Sequence, residues 1–377
     1  MTPTLSLTGL TLDELAELLG EPGRPSPTRA LALLRWLWRP DADLSPLPER
    51  LEGVSHPVLA RLKAQIPPAD VVEVARQVAS DGTIKLLLNA SGFPIETVMI
   101  PGSGRTTVCV SSQSGCSRDC NFCATAKMGF KRNLSAGEIV AQVLLARRVA
   151  PPDRPLRNVV FMGMGEPLDN LDQVVQAVAV LTTPGGIGLS PNHITVSTSG
   201  VLPRMRLFVE RSKASLALSL NGTTEAQRKT VMPIESRWGL PELLAFMREW
   251  SDRRLFFVEY ILMGGFNDQP EDARRLVALM EGLNVRVNLI PFNPHPGAAY
   301  RRPDPQDVQA FFEILNGAGV RALVRIPRGD DIAAACGQLS RKHAQETGQG
   351  PSEPASEPRA AEWVTPASAE AASVEWV

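Results

Sequence analysis

The chain has 377 residues, of which 44% are hydrophobic, and its formal net charge is −1. This length and apolar content suit one large domain with an appendage, and no stretch reaches the roughly 18 apolar residues of a membrane-spanning helix. The first residues have neither a basic segment nor a long apolar run. We therefore expect neither secretion nor membrane association, and we predict a cytoplasmic protein.

The near-zero net charge hides an asymmetry along the chain. Residues 346–377 contain six glutamates and one arginine, a net charge of −5, which leaves +4 on residues 1–345. A mildly basic body permits nucleic-acid binding without establishing it. Residues 344–377 are rich in proline, serine, alanine and glutamate, a composition typical of disorder, so we predict a disordered acidic tail. Two copies of Glu-Trp-Val leave a docking peptide as an alternative.

Residues 1–66 are predicted to form a small helical domain. Thr11 and Glu14 fit a capping box that begins one helix, and a second helix begins at Pro27. This second helix carries basic and aromatic side chains: Arg29, Arg35, Arg39, Trp36 and Trp38. A solvated basic edge on an amphipathic helix is the simpler interpretation. The alternative is an RNA-binding accessory domain, in which arginines contact phosphates and aromatic rings pack or stack.

Residues 67–105 are predicted to form a β-hairpin extension, because the apolar period changes to two on either side of Asn89–Gly92. From residue 106 to about 343, short apolar strands alternate with helical stretches. The predicted strands are 106–111, 158–162, 193–197, 214–219, 256–262 and 285–290. Six such units indicate a parallel, curled sheet. The polar motifs follow the carboxyl ends of these strands, where barrels place their active sites.

Three of the five cysteines lie within eight residues, Cys116, Cys120 and Cys123. They supply three thiolates, one fewer than a structural zinc site or an ordinary iron–sulfur cluster uses. A [4Fe–4S] cluster with three cysteine ligands keeps one iron open, as a reactive site requires. The alternatives are unrelated core cysteines or a zinc loop with a distant fourth ligand. Cys109 and Cys336 have no paired spacing, which favours free thiols in a reducing compartment.

Several motifs accompany the cysteines in a fixed order between about Leu86 and Leu339. They are Gly129-Phe-Lys-Arg-Asn133, Gly163–Pro167, Ser197–Gly200, Ser219–Asn221 and Arg328–Asp331. Together with the five cysteines, this set resembles the RlmN family of radical S-adenosylmethionine (SAM) enzymes, which methylate C2 of an adenine in RNA. The resemblance implies an α/β fold, a partial (β/α)6 radical SAM barrel, with the helical domain and the tail outside it.

The resemblance also implies the site residues. Cys116, Cys120 and Cys123 would bind one [4Fe–4S] cluster, whose open iron binds SAM. The implied SAM contacts are Gly165, Glu166, Ser197, Ser219, Leu220, Asn221 and Asn293. Two SAM molecules are used per turnover: one methylates Cys336, and the other yields the radical that activates this methyl group for addition to adenine. Cys109 then resolves the protein–RNA adduct by forming a disulfide.

Glu96 matches a position that the family assigns as a proton acceptor. We expect it to be an exposed strand glutamate, a type of residue that is more often structural.

The implied partners are 23S rRNA, with tRNA as a second candidate, and a flavodoxin or ferredoxin system as electron donor. Three alternatives stay open. The sister Cfr branch shares the five cysteines and methylates C8 of the same adenine. A radical SAM enzyme with a small-molecule substrate would need neither Cys109 nor Cys336. A non-catalytic iron–sulfur or zinc module that binds RNA would have no SAM pocket.

Overall fold

The computed structural model describes residues 6–39, 47–66 and 69–339. The predicted disordered tail lies outside these residues. In chain order the helices and strands are α1 (Leu12–Leu19), α2 (Pro27–Leu37), α3 (His56–Gln65), β1 (Val71–Val78), β2 (Ile84–Ala90), β3 (Phe93–Gly102), β4 (Arg105–Cys109), β5 (Gln113–Ser114), β6 (Arg132–Asn133), α4 (Ala136–Val149), β7 (Leu156–Phe161), α5 (Leu171–Thr182), β8 (Ile194–Thr198), α6 (Leu202–Arg211), β9 (Ser215–Ser219), α7 (Glu225–Val231), α8 (Leu240–Trp250), β10 (Phe256–Leu262), α9 (Pro270–Met280), β11 (Val285–Pro291), α10 (Pro305–Gly317) and β12 (Ala322–Val324).

Ten of these strands form one sheet in the order β1-β2-β3-β4-β7-β8-β9-β10-β11-β12. The strands from β1 to β4 pair antiparallel, and every later junction is parallel. Strands buried on both faces read as continuous apolar runs, which is why the sequence predicted six strands of this sheet, β4, β7, β8, β9, β10 and β11. This confirms the α/β class and the partial barrel. The short strand β12 was not predicted, because three residues carry no usable period.

The hairpin extension is continuous with the barrel. Strands β2 and β3 pair from Ile84 with Met99 to Ala90 with Phe93, and β3 pairs directly with β4, the first barrel strand. The capping box of the first helix is also present, since Thr11 accepts a hydrogen bond from the Glu14 backbone and the Glu14 carboxylate accepts one in return. The boundaries between the predicted domains remain a prediction.

The N-terminal helices pack along the outer wall of the barrel. Near the start of α4, the Thr8 hydroxyl donates to the Gly137 carbonyl at 3.1 Å, and near its end Arg147 donates to the Trp38 carbonyl at 2.6 Å. Helices of such a barrel run opposite to its strands, so α2 lies at the end remote from the strand carboxyl ends. The 14 residues of α4 place about 21 Å between the two ends.

Trp36 on α2 and Trp38, which directly follows this helix, belong to the hydrophobic core. Trp36 is 7% exposed and Trp38 is 4% exposed, whereas Arg35 and Arg39 are exposed and Arg29 is half-buried. Stacking of these rings on RNA bases is therefore ruled out in this conformation, and only the arginines face solvent. Among the described residues, no helix combines the length and apolar character needed to cross a bilayer.

Candidate active site

The three clustered cysteines lie on a loop that leaves the barrel after β4. Strands β5 and β6 close this loop by pairing Gln113 with Asn133 and Ser114 with Arg132. Gly115 sits at the start of the loop with φ of +75°, and a side chain there would collide with a backbone carbonyl across the loop. Only glycine meets both conditions. The pairing thus holds three thiols on one short segment at the rim of the barrel.

A cavity of about 150 Å³ lies at this rim. Its walls include the three thiols of the loop, Cys336 from the C-terminal segment and groups from the ends of several strands. Most of the predicted site residues are brought together here: Cys116, Cys120, Cys123, Gly165, Glu166, Ser197, Ser219 and Cys336. The hydroxyls of Ser197 and Ser219, from neighbouring strands, are 3.3 Å apart. The cavity therefore combines four thiols with hydroxyl and carboxyl groups.

Three predicted contacts lie outside the lining of this cavity. Leu220 and Asn221 are fully buried. The Asn221 side chain accepts a hydrogen bond from the Ile261 backbone at 2.9 Å, so it ties β9 to β10. The Asn293 amide donates to the Cys336 carbonyl at 3.4 Å and so holds the cysteine segment. Contacts of these three residues with SAM remain predictions.

Glu166 is a buried carboxylate at the end of β7, 3% exposed. It accepts hydrogen bonds from the backbone and hydroxyl of Ser199 at 2.8 and 2.7 Å and from the Leu168 backbone at 3.0 Å. Burial raises the pKa of Glu166, and these hydrogen bonds act against the rise. Its hydrogen-bond partners Ser199 and Leu168 are neutral, so a cationic amine of a ligand would compensate the buried negative charge.

The donor set fits an iron–sulfur cluster. Within the described residues, no three histidine, cysteine, aspartate or glutamate side chains converge on a point that one metal ion could occupy. A cluster spreads its cysteine ligands over several irons, so three thiols around a wider volume suit it. Burial raises the pKa of Cys116 to about 12 and raises that of Cys120 as well. Metal binding must therefore release protons from these thiols.

The two remaining cysteines approach each other although 227 positions separate them. Cys109 ends β4 and is buried, and Cys336 presents its exposed surface to the cavity. Burial and the nearby Cys336 raise the pKa of Cys109. Withdrawal from bulk water, followed by repulsion from Glu259, raises the pKa of Cys336 to about 11, and Arg325 opposes this rise. The buried Cys109 thiol thus lies near Cys336 but outside the lining of the cavity.

Glu259 was not predicted as a site residue. It lies on β10, is 5% exposed and lines the same cavity as Cys336. The Asn288 amide on β11 donates to its carboxylate at 2.7 Å. A single carboxylate inside the apolar run Phe256–Leu262 was the available signal, since a buried charge in a strand needs a reason.

Comparison with known proteins agrees with this geometry. Residues 110–277 match the radical SAM superfamily. The dual-specificity RNA methyltransferase RlmN of Anaeromyxobacter dehalogenans is 42% identical over 375 residues, which cover 97% of this chain and 98% of that protein. The RlmN of Caulobacter vibrioides is 42% identical over 89% of this chain and 86% of that protein.

The chain belongs to the RlmN family. A crystal structure of a radical SAM methyltransferase from Sphaerobacter thermophilus is also similar, at 40% identity and a TM-score of 0.81, covering 89% of this chain and 98% of that one.

Glu96, which we expected to be exposed on its strand, is buried. Glu96 is 1% exposed, because β3 lies between β2 and β4 in the sheet. Its carboxylate is 3.8 Å from the Lys85 ammonium. Glu96 does not line the cavity that contains the clustered cysteines. The expected exposure was wrong, and the assigned role as a proton acceptor stays untested.

A second, larger cavity of about 1760 Å³ lies beside the first. It is bounded by the cysteine loop, the segment before Cys336 and the β2–β3 turn. Its charged lining is mixed: Lys127, Lys131, Arg302, Asp81, Asp330 and Asp331. Between the two lysines of the loop, Phe130 is 48% exposed. An exposed aromatic ring between cations is a suitable surface for an unpaired base.

Proposed function

We propose that this RlmN-family chain methylates C2 of an adenine in 23S rRNA, and that tRNA is a second substrate. The observation that carries the proposal is that Cys336 lines a cavity together with three further thiols, while the buried Cys109 lies near enough to feel its charge. A radical SAM enzyme for a small molecule has no need of two additional cysteines. Relatives named as dual-specificity RNA methyltransferases support an RNA substrate.

Each group of cysteines has a separate proposed role. Cys116, Cys120 and Cys123 would hold a [4Fe–4S] cluster, with SAM beside Glu166 and the two serines; together these groups supply the radical chemistry that an electron-poor adenine C2 requires. Cys336 is the nucleophile, because its sulfur faces the cavity and can carry a methyl group. The carbonyl of Cys336 accepts a hydrogen bond from the Asn293 side-chain amide. This hydrogen bond restrains the segment that carries the Cys336 sulfur.

Cys109 serves the later part of the reaction. Burial raises its pKa, so Cys109 is a thiol at neutral pH and must first give up its proton before its thiolate can remove the proton at adenine C2. Once the adduct has lost the C2 proton and its unpaired electron, which the cluster held by the three clustered cysteines would accept, the Cys109 sulfur attacks the Cys336 sulfur. The S–S bond forms as the bond from the Cys336 sulfur to the methylene carbon breaks, and that carbon takes the electron pair and a proton to become the methyl group of the released RNA. That disulfide must be reduced before the next turnover. All five cysteines are free in this structure, which suits a reducing compartment such as the cytoplasm, with a flavodoxin or ferredoxin system as electron donor.

The RNA would approach through the larger cavity. An adenine inside folded RNA must leave its stack to reach the rim, at a cost of a few kcal/mol. Lys127 and Lys131 line this cavity, and the exposed Phe130 lies between them in the sequence, so these three side chains could receive the unstacked strand.

Mass spectrometry of nucleosides tests the proposal. RNA from a deletion strain should lack 2-methyladenosine, and the intact gene, but not the Cys336→Ala variant, should restore it. Separate digestion of 23S rRNA and tRNA tells whether both are substrates. Appearance of 8-methyladenosine would assign the Cfr reaction instead. RNA that is identical with and without the gene would rule out RNA methylation.

A further inference from the structure

The segment before Cys336 is fastened to the first hairpin of the sheet. The Gly329 backbone donates to Asp81 at 3.1 Å, and the Ser80 backbone donates to Asp331 at 2.9 Å. Both contacts join positions that are about 250 residues apart in the sequence. The turn between β1 and β2 therefore acts as a support for the C-terminal cysteine segment.

A buried lysine makes the contact nearest to Cys336 from this hairpin. Lys85 on β2 has a side chain that is 4% exposed, and its ammonium donates to the Ala333 carbonyl at 3.3 Å. The Glu96 carboxylate on β3, 2% exposed, lies 3.8 Å from the same ammonium. Lys85 pairs with Val98 in the sheet register and Glu96 pairs with Leu87, so the two side chains are diagonal neighbours across the strands.

Ala333 has an unusual backbone conformation for this contact. Its φ is +50°, in the left-handed region that alanine rarely adopts. Such a conformation persists only where the surroundings hold it. The Lys85 contact on the Ala333 carbonyl is one such restraint, and Cys336 follows three residues later.

We propose that Lys85 and Glu96 form a buried positioning pair for Cys336, in which Lys85 fixes the Ala333 carbonyl and Glu96 holds and neutralises Lys85. The inference deepens the proposed function, on which it depends for the importance of Cys336. It makes Glu96 a positioning residue and not the proton acceptor of the reaction.

Two observations separate these roles for Glu96. A proton acceptor must reach the reacting base, whereas Glu96 lines neither cavity and is 1% exposed. Burial also lowers the pKa of Lys85, and the Glu96 charge opposes that change. In this arrangement Glu96 acts on Ala333 through Lys85, so the two substitutions should loosen the same contact and produce the same defect.

Hydrogen exchange on the cluster-loaded enzyme tests the pair. Lys85→Met, Glu96→Gln and the double variant should each speed amide exchange in residues 329–337 by about tenfold, the effect of losing one charge-assisted hydrogen bond. Methylation of Cys336 after addition of SAM, measured by mass spectrometry, should become slower in these variants, and RNA methylation should become slower with it. The double variant should be no worse than either single variant. Iron content should stay at the wild-type level.

Arg211→Met is the matched control, since it breaks an exposed ion pair with Asp172 on the outer wall. It should change none of these measurements. If Lys85→Met does not fold, Lys85→Gln, which keeps a shorter donor, carries the same exchange measurement.

The opposite pattern would assign Glu96 to the chemistry. Glu96→Gln would then lose RNA methylation while exchange in 329–337 and methylation of Cys336 remained normal. Faster exchange in residues 329–337 of Lys85→Met, with normal exchange in Glu96→Gln, would also contradict the proposed pair. Faster exchange and slower Cys336 methylation in both variants, in an enzyme that never modifies RNA, would support the pair and reject the proposed function.

Discussion

The rim of the barrel and the N-terminal helices both carry side chains typical of RNA-modifying proteins, but the fold treats them differently. At the rim, thiols and carboxylates from distant segments converge on a shared cavity. In the N-terminal helices, Trp36 and Trp38 enter the hydrophobic core, and only arginines remain at the surface, remote from the rim. Residue type alone does not identify a functional surface. Its position relative to the strand ends does.

The largest effect should follow from loss of a clustered cysteine. Cys116→Ala, Cys120→Ala and Cys123→Ala each remove one of three thiols, so the variants should lose iron and all SAM cleavage. Anaerobic reconstitution and iron analysis measure this, with about four irons expected per wild-type chain. Full activity in an iron-free preparation would contradict the cluster.

The two lone cysteines should separate the later steps. Cys336→Ala should form neither S-methylcysteine nor a crosslink to RNA, because the nucleophile is gone. Cys109→Ala should still form the adduct but fail to resolve it, and so leave RNA covalently attached through Cys336. Denaturing gels and peptide mass spectrometry distinguish the two outcomes. Normal turnover of Cys109→Ala would remove it as the resolving thiol.

A smaller effect is expected at Glu259. The pKa of Cys336 is raised to about 11 by withdrawal from water and by Glu259, so Glu259→Gln should lower it. Alkylation of Cys336 by iodoacetamide should rise with pH toward 11 in the wild type, since only the thiolate reacts. The variant should react several-fold faster at pH 7.5, by about tenfold for each unit that the pKa falls. Glu249→Gln, in an exposed ion pair on α8, is the control, and an unchanged pH profile would contradict the effect of Glu259.

Phe130 offers the most direct comparison of the rim with the rest of the surface. Phe130→Ala should weaken RNA binding by about 1–3 kcal/mol if its ring stacks on a base. Leu207→Ala, at a similarly exposed position on α6, should have no effect. Filter binding or fluorescence anisotropy at fixed salt measures both. If Phe130→Ala and the wild type bind RNA with equal affinity, no base stacks on Phe130.

The smallest effect is expected in the N-terminal helices. Arg35→Ala and Arg39→Ala should weaken RNA binding uniformly and reduce the slope of log affinity against log salt by about 1 for each lost phosphate contact. Cluster content and Cys336 methylation should stay normal. Deletion of residues 1–66 is a poorer test, because Leu15 and Leu19 belong to the common core and their removal would expose the outer wall. If the slope of log affinity against log salt is unchanged in both variants, Arg35 and Arg39 do not contact RNA phosphates and the helices have only a structural role.

The sequence predicted what short-range patterns encode. The strands, the cysteine loop and the capping box at Thr11 depend on period and spacing, and the structure agrees with them. Burial of Glu96 and the contact between Lys85 and Ala333 depend on which strands become neighbours and where a segment returns after some 250 residues. No local pattern contains that information, so the proposed positioning role of Lys85 and Glu96 could be inferred only from the structure.

The long return of the Cys336 segment has a consequence for synthesis. Chains emerge from the ribosome with the N-terminus first, and domains begin to fold in that order. The loop with Cys116, Cys120 and Cys123 is complete some 200 residues before Cys336 is added, whereas the contact of Lys85 with Ala333 must await almost the whole described chain. Contacts of such high sequence separation form late and slowly. The three thiols proposed to hold the cluster are thus synthesised before the Cys336 sulfur, so a nascent chain would have its proposed cluster ligands before its proposed methyl acceptor.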